Sequence, residues 1–192
     1  MTKRQILFLV AGMMLALTRG GRADHKQSPE GVRPAVDARG DMLWRLHVLH
    51  VHEVEMAKIG NESGASVEVR EFCGKLIDDH RKSNKDLLQM AAGHDFLVVP
   101  SGAALDELPA KHRLADRLRG MRGAELDREL ISAMVRGHEQ AIEMVRRDRA
   151  LAGDEDVRKY LDQLMPVLQL HRDRAAALKR SMKVIKSSKL EK

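Results

Sequence analysis

The sequence predicts an all-α protein, an up-and-down four-helix bundle with a long crossover between helices two and three. Three observations lead there. Apolar residues recur at three- and four-residue steps over four long stretches. The connections between them are short, long and short, and rich in Gly, Pro and Ser. No alternating run reaches strand length, since Leu97-Val98-Val99 is too short to count.

Helix one is expected from Asp41, as its N-cap, to Gly60. Ser66 caps helix two, Glu68 and Glu71 suit its first turns, and Gly93 ends it after Ala92. The inward stripe of helix two reads Val69, Phe72, Cys73, Leu76, His80, Leu87 and Ala91. Residues 93–110 form the crossover, punctuated by Gly93, Pro100, Ser101, Gly102 and Pro109, and a short helix is expected over Ala110 to Arg119. Helix three spans Gly123 to Leu151, with Leu126, Leu130, Met134, His138, Ala141 and Val145 on one side. Asp154 opens helix four, whose stripe is Val157, Leu161, Leu164, Leu168, His171, Ala175 and Leu178. Pro166 lies inside that helix and is expected to bend or locally break it.

The first residues read as an export signal. Lys3 and Arg4 precede an apolar run from Ile6 to Leu17, about a dozen residues and too short to span a bilayer comfortably. Gly21 and Ala23 place small residues where a signal peptidase needs them, so residues 1–23 are expected to be removed. Residues 24–40 read as a flexible polar leader, 41–182 as the bundle, and 183–192 as a basic tail whose lysine-rich end frays. The expected location is the periplasm or the exterior, with peripheral contact to the envelope as one option for the tail.

Export changes the meaning of the charge. Losing Lys3, Arg4, Arg19 and Arg22 takes 34 basic residues to 30 against 28 acidic ones, so +6 becomes +2. The chain also holds one Trp, one Tyr and three Phe, too few for base stacking. Nucleic acid is therefore not an expected partner. Cys73 is the single cysteine, so there is no internal disulfide, and its place on an inward stripe marks it as a small buried hydrophobe. No nucleophile elbow or glycine-rich phosphate loop is present, and one cysteine cannot form a CxxCH haem attachment. No catalytic residue is assigned.

The functional signal lies in the histidines. His80, His138 and His171 each fall mid-helix on an inward stripe, and burying an imidazole requires a partner for each nitrogen. At about 1.5 Å of rise per residue, His138 and His171 lie within ~3 Å of one level. On helix one the matching level is nearest His47 or His50, with Glu53 about one turn closer to the loop, so His50 and Glu53 are competing candidates that spacing alone does not separate. Three imidazoles and a carboxylate suit a mononuclear zinc or copper site, with iron less favoured. Met134, one turn before His138, is either core packing or a soft axial ligand. The competing reading is a buried hydrogen-bond network that fixes helix register, with Asp79, Asn84 and Arg172 as partners. His47 and His50 share a face while His52 points away to solvent, and His94 could approach His47 from past the end of helix two.

The strings HEVEMAKIG, VREFCGKLIDDHRKSNKDLLQMA, LDRELISAMVRGHEQAIEMV and VRKYLDQLMPVLQLHRDRA, in that order, resemble the bacterial exported family catalogued as domain of unknown function 4142. The resemblance covers Asp41 to Leu178. It implies a ferritin-like fold and an outer-membrane or periplasmic location. It carries over Glu53, the Asp79-His80 pair, Asp127, His138, Pro166 and His171. Leu126 stands where an aromatic is usual, and His47 and His50 where small residues are common. Ferritin-like di-iron sites use Glu-x-x-His pairs, whereas Ile77, Val135 and Leu168 precede these histidines by three, so a nitrogen-rich mononuclear site fits better.

Overall fold

A computed structural model of the chain describes residues 38–190, with side chains through 182. The expected signal segment and nearly all of the leader lie outside the described residues. The described residues form six helices and no strand: α1 (Ala38–Ser63), α2 (Val67–Gly93), α3 (Gly102–Asp106), α4 (Leu108–Arg119), α5 (Gly123–Leu151) and α6 (Glu155–Leu190). None of these helices is long and apolar enough to cross a membrane.

The expected boundaries hold where local chemistry sets them. The Ser66 side chain accepts the Val69 N–H, and Asp154 Oδ1 accepts the N–H groups of Asp156 and Val157 at the start of α6. Asp41 does not cap helix one. α1 begins three residues earlier, and the Asp41 carboxylate accepts the Ser101 N–H at 2.7 Å, tying the crossover to the first turn. The crossover holds one helix more than expected, the single-turn α3, with Ser101 as its N-cap. Pro166 does not interrupt α6. Nor does the lysine-rich end leave the helix, which continues to Leu190.

The four long helices form two hairpins, α1 with α2 and α5 with α6, and the hairpins meet through α1 on α5 and α2 on α6. Arg45, near the start of α1, bonds Asp148, near the end of α5, at 3.4 Å. Gly64, just past α1, bridges Gly123 at the start of α5. These two helices are therefore antiparallel, and α2 runs in the same direction as α5, so the expected up-and-down order does not hold: the long crossover lets the third long helix repeat the direction of the second. The crossover makes this possible: α4 packs on α1 and α5 and returns the chain along the length of α1. At the return point Gly123 has φ +62°, open to glycine without strain. Asp127, one turn into α5, accepts the N–H groups of Ala65 and Ser66 at 2.9 Å each, which locks the α1–α2 turn to α5.

Apolar side chains form two separate clusters. One gathers Leu46 and Leu49 of α1, Leu87 of α2, Ala141 and Val145 of α5, and Leu161 and Leu168 of α6. The other gathers Met56, Leu76, Leu130, Met134 and Ala175 from the same helices, with Leu118 of α4. Each long helix passes from one cluster to the other across a buried polar residue: His50 and Glu53 on α1, His80 on α2, His138 on α5 and His171 on α6.

Candidate metal centre

The polar layer is built from side chains that are each at most 2 % exposed. Ring centroids of His80, His138 and His171 form a near-equilateral triangle, 5.7, 5.1 and 5.3 Å on its sides. One nitrogen of each ring lies within 4.8 Å of one nitrogen of each other ring. The expectation of a common depth is realised, because the helices carry these residues into one layer.

Each ring is held from its outer edge. His138 Nδ1–H donates to the Met134 carbonyl at 2.8 Å, and His171 Nε2–H donates to Asp79 Oδ2 at 3.0 Å. A carbonyl and a carboxylate can only accept, so the proton sits on the outer nitrogen in both cases. His80 is set by a longer chain. The Tyr160 hydroxyl donates to the Ser83 carbonyl (3.3 Å), so its oxygen accepts from His50 Nε2–H (2.7 Å). His50 Nδ1 is then a bare acceptor for His80 Nδ1–H at 3.0 Å. The nitrogens left over are His80 Nε2, His138 Nε2 and His171 Nδ1, all buried and without a hydrogen-bond partner. Glu53 Oε2 is in the same condition.

Electrostatics favour neutral rings. Burial, with His47 adding, pushes His50 down to about 3. Burial also takes His171 to about 4 against the pull of Asp79. His80 is driven well below its ordinary value by burial and then by the other three rings. Burial pushes Glu53 up, opposed by His138 and Lys111. Burial alone would raise Asp79, but the hydrogen bonds from Lys75 and His171 hold it below the usual carboxylate range. Neutral imidazole is the form that offers a lone pair to a cation.

The remaining candidates separate by geometry. Both His50 nitrogens are committed, to His80 and Tyr160, whereas Glu53 keeps a free oxygen. Met134 packs in an apolar cluster and contributes its backbone carbonyl to the layer. Asn84 bonds His47 at 2.8 Å rather than any ring of the triangle, and Arg172 pairs with Asp173 on the surface. His94 does not approach His47; it stacks on Phe96 and pairs with Asp156 at 2.9 Å. His52, expected in solvent, is buried towards α4, and burial with the Lys111 charge takes it to about 4. Cys73 is fully buried, and burial, then Asp127 and Glu53, push its thiol up to about 12, the behaviour of an inert packing residue.

Sequence reasoning missed Tyr160. It stands beside Leu161 of the helix-four stripe, and its signal was the only tyrosine of the chain placed next to an inward position. Asp148, buried near the Arg45 guanidinium, was missed as well. Two clefts reach the layer: one of about 650 Å³ has His50 and His80 in its wall, and another of about 510 Å³ has Glu53 and Gly137.

The profile of the family described as Domain of unknown function (DUF4142) matches residues 25–178. This chain belongs to the DUF4142 family. No curated protein and no solved structure matches it. The matched segment contains every residue of the polar layer together with Asp79, Asp127 and Tyr160, so the DUF4142 domain and the candidate centre are one unit.

Proposed function

We propose that this DUF4142 chain is an exported protein that binds one transition-metal ion, zinc or copper, through His80, His138 and His171, with Glu53 as the oxygen donor. The observation that carries the reading is the buried triangle of His80, His138 and His171, whose ligand atoms lie within 4.8 Å of one another, each ring keeping one nitrogen without a hydrogen-bond partner. Glu53 Oε2 of α1 lies outside that triangle and is a fourth unpartnered atom. A buried polar atom left unsatisfied costs about 1–3 kcal/mol, so four of them are a heavy penalty if nothing fills the layer. A network whose sole task is to fix helix register would have its members satisfied. Here satisfaction stops at the outer edges: each ring is oriented by an acceptor behind it, the arrangement that presents histidine ligands to a metal.

Nitrogen donors with one carboxylate suit zinc or copper(II), and the lack of a thiolate in the layer argues against copper(I). His50 and Tyr160 act behind His80 as positioning residues. The antiparallel hairpins joined by a long crossover support a four-helix bundle of the ferritin-like kind, here with a mononuclear rather than a di-iron donor set. The apolar run before Ala23 supports export.

Calorimetric titration of chelator-treated protein with zinc, then with copper(II), tests the reading. One ion per chain is expected, with binding lost in His80→Ala and His138→Ala. Binding that survives both substitutions, or no saturable heat in the parent, would overturn it.

A further inference from the structure

The second cleft shares Glu53 with the polar layer, but the rest of its lining has a chemistry of its own. Its walls come from α1, α3, α4 and α5, and its volume of about 510 Å³ falls within the range of small-molecule sites. Trp44, Val48 and Met56 of α1, Leu114 of α4 and Met144 of α5 give it an apolar lining. The charges around it are unbalanced. Arg45 is engaged by Asp41 and Asp148, but Lys111, Arg136 and Arg147 make no ion pair among the described residues. Glu53 and Glu107 are the only acids of the lining. Glu53 sits at the inner wall, where Gly137 leaves room for its Oε1: a β-carbon at residue 137 would come within 3.3 Å of that atom.

We propose that this cleft binds a small amphipathic carboxylate, its tail along the Trp44–Met144 wall and its anionic head against Lys111 and Arg136. An apolar wall beside three cations that make no ion pair among the described residues selects for both properties at once, although Lys111 also faces Glu53 and Arg147 faces Asp148. A neutral amphiphile leaves the cations without an ion pair, a cationic one is repelled, and inorganic phosphate gains nothing from the wall.

Trp44 is the single tryptophan of the chain, so its fluorescence reports on this cleft. Octanoate added to chelator-treated protein is expected to give a saturable change in emission. Octyltrimethylammonium at equal concentration is expected to give none, inorganic phosphate none, and octanol one at least tenfold weaker in affinity. Arg136 is exposed, so Arg136→Ala leaves the fold intact and is expected to weaken octanoate binding about tenfold, and Arg136→Glu further. The same titration on His138→Ala is expected to match the parent, which keeps this site distinct from the metal centre. No saturable response to octanoate would overturn the proposal, as would an equal response to octanol or octyltrimethylammonium, or unchanged affinity in Arg136→Glu.

Discussion

His138 offers a lone pair to the centre of the layer because its other nitrogen, Nδ1, carries the proton and donates a hydrogen bond to the Met134 carbonyl one turn back. His80 reaches the same state through two intermediaries, His50 and Tyr160, which makes Tyr160 the far end of a chain of donors. Tyr160→Phe removes one hydroxyl and leaves the ring. It is expected to lower zinc affinity about 10- to 100-fold, the usual cost of losing an outer partner of a ligating histidine, and calorimetry checks it. The lowered values of His50, His80 and His171 also set a pH dependence. Below the ordinary histidine range the unfolded chain takes up protons that the folded chain refuses, so stability is full at neutral pH. It falls as pH drops from about 6.5 towards 4, by about 1.4 kcal/mol per pH unit for each ring. His52 acts in the same direction, and Glu53 and Asp148, raised by burial, act with the opposite sign, two groups against four. Denaturant melts of metal-free protein at pH 7.5, 6 and 5 check the slope; a flat profile contradicts it. At this scale the sequence showed the three histidines, because a polar ring on an apolar stripe stands out. The choice between His50 and Glu53 was hidden, since it depends on which partners each side chain meets across the layer.

The helices approach closely at particular small residues, and there their packing can be tested. A β-carbon at Gly60 of α1 would lie 2.2 Å from Leu130 Cδ2 and 2.6 Å from Cys73 Sγ, both on fully buried residues. Gly60→Ala is therefore expected to destabilise by about 1–3 kcal/mol, measured by denaturant unfolding. The Asp127 carboxylate holds two N–H groups of the α1–α2 turn, so Asp127→Ala is expected to cost a further ~1–3 kcal/mol by the same measurement. The starts of α2 and α6 were legible because Ser66 and Asp154 cap them locally, whereas α2 ends one residue later than expected, with Gly93 still helical and Asp95 taking the left-handed conformation. Asp41 misled because an aspartate before an apolar stripe has the form of an N-cap, while its actual partner, Ser101, is sixty residues away. The direction of α5 was likewise beyond local pattern, since it follows from how α4 packs along α1.

Across the whole molecule, a polar layer divides what would otherwise be a continuous apolar core. A buried leucine at such a position contributes about 1.5–3 kcal/mol, so histidine and glutamate there forgo stability that a purely structural bundle would retain. In the proposed reading, ion binding offsets that loss. At a free zinc concentration one hundred times the dissociation constant, the gain is about 2.7 kcal/mol, a rise in melting temperature of about 5–10 °C for a domain of this size. The measurement that tests this claim most directly is elemental analysis of the chain prepared without a histidine tag, loaded with zinc or copper and desalted, beside His138→Ala. The structure predicts about one ion per chain in the parent and none in the variant. A parent that stays metal-free, or a variant that retains as much metal as the parent, would contradict it.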